Sequence, residues 1–363
     1  MSASRLNFDI YSCVRVYYRY ADCNKCVNVC PTQAVNIEND KVKVNFENCV
    51  ECGACVGNCP TESYKLNGFD LVDFYVKFTD SDKKFTSCKV DLPCLSALDE
   101  NYLVSICIDK NSDLILDVGH CGQCQIGKQL DIIKHNTEKA NYILEQAGLD
   151  YRVKLEDIKF EKEENQENKR RSFLKMFAKQ TAALAFWAVE DKLEQIVENT
   201  EEKEEKPYKN IVSEKVIPEK RKILYTALSK IDPTDKYFEV EKIEFSSDKW
   251  IDNSKCTNCS ICYNVCPTGA LTPDDSKLKV LFSPTLCIKC RICHDVCPEK
   301  CIHLEEKLYL EDFISGKYKV LAQHVMIPCS ECLVPFSYKG DTTVCPRCRQ
   351  LEDELRDLLK IGD

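Results

Sequence analysis

Apolar and polar residues change period several times along the chain, and each change marks an element. Between residues 71 and 148, four short runs, LVDFYVKF, KFTSCKV, YLVSICI and LILDV, are rich in β-branched and aromatic residues and read as strands. They are followed by IGKQLDIIKHNTEKANYILEQAG, a long helical pattern that ends at Gly148, a residue suited to a left-handed C-terminal cap. Together they predict a small α/β unit. In FLKMFAKQTAALAFWAVEDKLEQIV (173–197), Phe173, Phe177, Leu184, Ala188 and Leu193 recur near helical spacing and predict an amphipathic helix. Pro218 stands at the start of a further helix expected over Glu219–Lys230. Two charged segments, EDIKFEKEENQENKRR (156–171) and ENTEEKEEKPYKN (198–210), have no apolar period and read as solvated linkers or exposed helix faces.

Two cysteine-dense blocks, 13–66 and 256–304, resemble each other, so the chain carries an internal duplication. The expected division is a first cysteine block over 1–68, the α/β unit over 69–155 and charged linkers with helices over 156–245. The second block covers 246–310, and a C-terminal unit with a helix covers 311–363. The fold class is multidomain α+β. Composition then narrows the chemistry. The chain holds 26 cysteines, most of them in C-x2-C pairs, a spacing that suits metal ligation better than disulfides. A formal net charge of -9 argues against nucleic acid as a partner. MSASRLNFDIYSCV lacks the apolar run of a signal peptide, and no segment approaches the roughly 18–20 apolar residues of a membrane span, so a cytoplasmic location is expected. No G-x-G-x-x-G loop, Ser-His-Asp set or carboxylate pair can be assigned, and no catalytic centre of the chain's own is expected.

The strongest motifs are CTNCSICYNVCP (256–267) and CIKCRICHDVCP (287–298), each a complete C-x2-C-x2-C-x3-C-P run. A short C-x2-C-x2-C loop can present three thiolates to one cube, while the x3 step and proline carry the fourth thiolate away. These blocks resemble the two-cluster 4Fe–4S ferredoxin family, including the sequel CPTGAL at Cys266–Leu271. The resemblance implies one cluster on Cys256, Cys259, Cys262 and Cys297, and another on Cys287, Cys290, Cys293 and Cys266. In the first block CVECGACVGNCP is also complete, which implies a cluster on Cys49, Cys52, Cys55 and Cys30. Its partner cluster has Cys23, Cys26 and Cys59, but Tyr20 stands where the fourth cysteine belongs. Phenolate is a hard, rare ligand for iron–sulfur sites. Cys13 is the nearest spare thiol, and VRVYYRYAD is the loop that would return it. A cluster with one open iron, a 3Fe–4S cluster and no cluster remain alternatives. Arg15 and Arg19 in that loop either stabilise the anionic cluster or are surface charges. Cys301 is expected to be a buried thiol packed near a cluster.

Five further cysteines lie in the α/β unit. If its strands are parallel, Cys88, Cys121 and Cys124 gather at the carboxyl edge of the sheet, where Cys94 could complete a site for zinc or an iron–sulfur cluster. Cys107 is expected in the core and His120 in a loop, not as a ligand. Near the C-terminus Cys329, Cys332, Cys345 and Cys348 form C-x2-C-x12-C-x2-C, the pattern of a zinc ribbon, with a rubredoxin-type iron site as the minority reading. KRRSFLKMFAKQTAALAF (169–186) is similar to a twin-arginine export signal, but its distance from the N-terminus favours a basic helix start.

The order of parts, with RRSFLK and VIPEKRKILYTAL between the blocks, resembles a group of bacterial 4Fe–4S binding proteins that accompany molybdenum or tungsten formate dehydrogenases and their chaperones. That resemblance implies an electron-transfer protein with up to four 4Fe–4S clusters and one zinc, serving a redox partner such as a formate dehydrogenase or its chaperone. The alternative is an accessory or assembly factor for a molybdo- or tungsto-enzyme, with structural or redox-sensing clusters. An open iron at the Cys13/Tyr20 site would instead make an enzyme.

Overall fold

The computed structural model describes residues 6–158 and 215–359. The helical pattern at 173–197, the RRSFLK motif and the charged segments, apart from residues 156–158, lie outside the described residues.

The duplication is visible as topology. In the first block the strands Leu6–Phe8 and Tyr64–Leu66 pair antiparallel, with Leu6 opposite Leu66. Between them lies the hairpin Val35–Glu38/Lys41–Val44, whose turn residues Asn39 and Asp40 both have positive φ, as a tight hairpin with the right-handed strand twist demands. The second block repeats the plan. Lys249–Ile251 pairs with Ile302–Leu304, and the hairpin Leu271–Pro273/Lys279–Phe282 lies between them, extended by a third strand, Lys319–Gln323. Each block carries two short helices that follow cysteine loops, Lys25–Asn28 and Ala54–Asn58 in the first, Ile261–Asn264 and Ile292–Asp295 in the second.

The middle unit departs from its sequence reading in two places. LVDFYVKF is the helix Leu71–Thr79, capped by the Asp70 carboxylate, which accepts from the Asp73 N–H. It buries Leu71, Phe74, Tyr75 and Phe78, a helical i, i+3, i+4, i+7 stripe hidden within a β-favouring composition. YLVSICI is also helical, within Glu100–Lys110, where Asp99 caps the N–H groups of Asn101 and Tyr102. That helix is buried from Glu100 to Ile108, so no polar face betrays its period, and its β-branched content reflects burial. Strand structure is confined to Phe85–Thr86, Leu114–Asp117 and Val153–Glu156, a three-stranded parallel sheet with Leu114–Asp117 in the centre. The long helix runs Gln129–Gln146, and Gly148 follows it at φ +72.

One helix joins these parts. Glu219–Leu228 starts after Pro218, as its sequence predicts, and packs on Glu100–Lys110 within an apolar core that continues into the second block through Phe245, Phe282 and Phe313. The Glu62 carboxylate of the first block accepts from the N–H groups of Glu219 and Lys220, at 2.8 and 3.0 Å. Lys220 Nζ lies 2.9 Å from the Asp99 carboxylate and 2.7 Å from the Gly57 carbonyl oxygen, all buried. Loss of one partner from such a buried pair costs about 3–5 kcal/mol, so these contacts hold the first block and the middle unit in register. Gly57 permits that approach: a Cβ there would stand 1.6 Å from the Ala97 carbonyl oxygen. A cavity of about 360 Å³ remains at the junction, where Glu244 takes both Lys25 (2.9 Å) and Lys139 (2.8 Å). Among the described residues no helix is long and apolar enough to cross a membrane.

Candidate metal centres

The cysteine runs are wrapped by backbone conformation as much as by spacing. In all three complete runs the residues on either side of the second cysteine have positive φ: Glu51 and Gly53, Asn258 and Ser260, Lys289 and Arg291. Left-handed turns of this kind point successive amides into a concavity that favours anions. The N–H groups of Ala54, Asn258, Lys289 and Ile292 donate to Cys52, Cys256, Cys287 and Cys290 respectively. In the incomplete run, Asn24 has φ −131 instead. The turn after each Cys-Pro is common to all four runs, with positive φ at Gln33, Glu62, Gly269 and Lys300. The incomplete run therefore departs from the others at its start and matches them at its end.

Three small cavities coincide with three of the expected ligand sets. One of about 20 Å³ is lined by Cys30, Cys49, Cys52 and Cys55. A second of similar size is lined by Cys256, Cys259, Cys262 and Cys297, with Cys301 beside them. The third is lined by Cys13, Cys23, Cys26 and Cys59. In the fourth set, Cys290 has its thiol pKa raised by burial first and then by the charges of Cys266, Cys293 and Cys287. Each set thus draws cysteines from both runs of its block.

Cys13 reaches its group because Cys13 N-caps the short helix Val14–Tyr17, while Arg15 folds the following loop. Arg15 Nε donates to the Cys23 carbonyl oxygen at 3.2 Å, and its Nη1 donates to that of Arg19 at 3.2 Å. Tyr20 is turned outward, 63 % exposed, against Tyr18. Arg19 pairs with Asp40 on the surface. Burial pushes the Cys13 thiol up to about 12 and Cys26 to about 11, and neighbouring thiolates add to both. Four crowded thiolates, two of them (Cys26 and Cys59) buried, are a fit for a cationic iron core, which would supply the missing positive charge.

The second block adds charges that sequence reading did not single out. Lys249 Nζ is 3.4 Å from Cys293 Sγ, in a buried position. Burial opposes its charge, but Cys287, Cys293, Cys290 and Cys266 outweigh burial and hold its pKa above the ordinary lysine range. Arg221 donates to the Cys287 carbonyl oxygen at 2.7 Å, and Ser247 Oγ lies 3.4 Å from Cys287 Sγ. A lone lysine in a short strand carries no pattern, so no sequence signal marks Lys249. Cys301 is buried, with its Sγ 3.5 Å from Cys297 Sγ.

The two blocks meet beside Cys23 and Cys290. Val14, Ala21 and Ile292 form one apolar cluster with Cys23 and Cys290 packed against it. The Asp22 N–H donates to the Asp295 carboxylate at 3.2 Å across the same seam.

At the C-terminal end the sulfur atoms of Cys329, Cys332, Cys345 and Cys348 lie within 4.8 Å of one another. Cys329 and Cys332 follow the first strand of the hairpin Val325–Pro328/Pro335–Tyr338, and Cys345 and Cys348 lie at the start of the helix Pro346–Leu359. The N–H groups of Glu331 and Cys345 donate to Cys329 Sγ at 3.4 and 3.2 Å. These amides, with that of Cys332, hold the Cys329 thiol well below the ordinary range. The set suits a single tetrahedral ion.

In the middle unit, Cys88 and Cys121 lie at the carboxyl ends of the parallel strands Phe85–Thr86 and Leu114–Asp117. Burial pushes the Cys121 thiol up to about 11, and the charges of Cys94, Cys88 and Cys124 add to the shift. His120, expected only as a loop residue, places Nε2 2.9 Å from Cys88 Sγ. Cys107 is fully buried in the core, on a helix and not on the strand expected for it.

Comparison with known families agrees with this geometry for the two blocks. Residues 21–63 match a model described as a 4Fe-4S dicluster domain, and residues 255–302 match a second model of the same description. No curated protein matches the chain. The chain therefore carries two ferredoxin-type 4Fe–4S dicluster domains, the hallmark of iron–sulfur electron-transfer proteins.

Proposed function

We propose that this protein is a multi-cluster electron carrier with four 4Fe–4S clusters, relaying electrons to or from a partner oxidoreductase. When bound, a 4Fe–4S cluster supplies one-electron redox chemistry near the potential set by its surroundings. The residues would act as follows. Cys13, Cys23, Cys26 and Cys59 hold one cluster, and Cys30, Cys49, Cys52 and Cys55 hold its neighbour. Cys266, Cys287, Cys290 and Cys293 hold the third, and Cys256, Cys259, Cys262 and Cys297 the fourth. Amides of the cysteine loops and Lys249 offset their negative charge, and Arg15 shapes the loop that returns Cys13. Cys329, Cys332, Cys345 and Cys348 hold zinc in a closed site that fastens the C-terminal helix. A formate dehydrogenase, or its chaperone, is the partner that the order of parts favours.

The observation that carries this reading is the packing of Cys23 and Cys290 against one apolar seam, which makes the two dicluster domains neighbours at their cluster ends. Separate, independent clusters would not need that seam. The test is anaerobic iron, sulfide and zinc analysis with an EPR-monitored redox titration. About 16 irons and one zinc per chain, with reversible one-electron reduction of the clusters, are expected. Clusters that stay silent at every accessible potential would overturn electron transfer and favour an accessory or assembly role.

A further inference from the structure

The junction cavity of about 360 Å³ falls in the size range of small-molecule sites, roughly 300–1,000 Å³, and electron transfer makes no use of it. Lys25 and Asn58 of the first block line it, with Glu100 and Lys139 of the middle unit, Ile288 of the second block and Arg221 of the joining helix. Charge on these walls is unbalanced. Lys25, Lys139, Lys220 and Arg221 stand against Asp99, Glu100 and Glu244, four cations to three carboxylates, an excess of one positive charge. Burial, aided by Lys139, lowers the pKa of the remaining basic group, His135. Lys220 is matched by Asp99, whereas Lys25 and Lys139 share the single Glu244 carboxylate, at 2.9 and 2.8 Å. The excess therefore lies at the Lys25–Lys139 wall.

Three deeply buried side chains line the same space with hydrogen-bonding atoms that have no partner among the described residues. Arg221, 2 % exposed, donates from Nη2 to the carbonyl oxygens of Phe245 and Cys287 but leaves Nε and Nη1 unpaired. Glu100, 3 % exposed, accepts the Glu244 N–H on Oε1 at 2.8 Å and leaves Oε2 unpaired. Asn101, 5 % exposed, donates from Nδ2 to Asp99 and leaves Oδ1 unpaired. Buried polar atoms are costly to leave without partners, so two donor nitrogens and two acceptor oxygens around one cavity suit a ligand that both accepts and donates. Val29, Ile132 and Ile288 supply an apolar wall beside them.

We propose that this cavity binds a small organic monocarboxylate that carries a hydroxyl group. The carboxylate balances the charge shared by Lys25 and Lys139, the hydroxyl donates to Glu100 or Asn101, and the carbon body covers the apolar wall. Inorganic phosphate matches neither the single excess charge nor the apolar surface. Lys25 stands between Cys23 and Cys26, and Ile288 between Cys287 and Cys290, so the site touches one cysteine run of each block. A bound anion there disfavours adding an electron to the clusters of those runs. That consequence rests on the iron–sulfur reading of the blocks; the binding itself does not.

The experiment is calorimetric titration of the full-length chain, purified anaerobically, at pH 8 and low salt, where the Glu100 carboxyl, raised by burial to about 7, is ionised. The probes are 4-hydroxybutyrate, glycerate, butyrate and inorganic phosphate. At least one hydroxycarboxylate should bind with a Kd of about 1 mM or below. 4-Hydroxybutyrate should bind about three- to tenfold more tightly than butyrate, the worth of one hydrogen bond. Lys139→Met should weaken the hydroxycarboxylates about tenfold. Glu100→Gln, which keeps the oxygen that accepts the Glu244 N–H, should instead tighten butyrate and reduce the advantage of the hydroxyl. Circular dichroism checks that both variants fold as the parent does. No binding of either hydroxycarboxylate at millimolar concentration, tightest binding of phosphate, or affinities unmoved by both variants would overturn the site. Electrochemically reduced protein should bind the anion about fivefold less tightly than oxidised protein. Equal affinities for the two forms would overturn the redox consequence alone, and a protein without iron would fail the cluster reading while the calorimetry still reads the site.

Discussion

Lys249 Nζ stands 3.4 Å from Cys293 Sγ, and both side chains are buried in the second dicluster domain. A fixed positive charge beside a thiolate ligand favours the more negative, reduced state of the cluster it serves. Lys249→Met is expected to lower the reduction potential of that cluster by about 60 mV, a tenfold change in a one-electron equilibrium. Lys249→Arg should keep most of the potential. An EPR-monitored titration resolves the cluster; an unchanged potential in the methionine variant would show that the charge is without redox effect.

Cys13 and Tyr20 make opposite predictions. Cys13 lines a cavity with Cys23, Cys26 and Cys59, whereas Tyr20 faces solvent. Cys13→Ser should reduce the iron content from about 16 toward about 12, or leave an oxygen-ligated cluster with altered EPR. Tyr20→Phe should change neither iron nor spectrum. Iron loss from Tyr20→Phe, with Cys13→Ser silent, would reverse the assignment.

The C-terminal thiol set should behave as a separate metal unit. Cys345→Ser removes a buried thiol whose backbone N–H also donates to Cys329 Sγ. The expected outcome is loss of one zinc per chain and protease sensitivity around residues 325–359, with iron content and cluster potentials unchanged. Elemental analysis and limited proteolysis read this directly, and iron loss in this variant would show that the set is coupled to the clusters.

His324 supplies a pH dependence with a definite sign. It is buried, with Nδ1 2.8 Å from Ser337 Oγ, and burial, aided by Lys339, pushes its pKa down to about 4. The unfolded chain takes up a proton near pH 6.5 that the folded chain refuses until about pH 4. Stability is therefore full above pH 6.5 and falls as the pH drops through that window, by about 1–2 kcal/mol between pH 7 and 5. His324→Gln should remove this part of the slope. Thermal unfolding of both forms at pH 7 and 5 measures it; parallel losses in the two proteins would exclude His324 as the cause.

Much of the candidate chemistry was legible because ligand spacing is local. A C-x2-C-x2-C-x3-C-P run encodes its own loop, and the shared left-handed residues at Glu51/Gly53, Asn258/Ser260 and Lys289/Arg291 follow from that spacing. The strand Leu114–Asp117 and the helix after Pro218 were also readable, since strand and cap signals lie within a few residues. Leu71–Thr79 and Glu100–Lys110 were not. Their aromatic and β-branched residues imitate strands, and the second is buried nearly all round, which erases the polar face that helical periodicity depends on.

Local order along the chain thus carries the number and kind of cysteine loops, the duplication and the Cys-Pro turns. Long-range folding decides which loops become neighbours. Cys23 and Cys290 share one seam only because the two blocks pack across Val14 and Ile292, and the Ala97 carbonyl reaches the helix of Cys55 only because Gly57 leaves room for it. Lys249 acquires its partner in the same way. Such contacts join residues tens to hundreds of positions apart, and they are selected by the burial of apolar surface and the pairing of buried charges, neither of which leaves a spacing pattern in the chain.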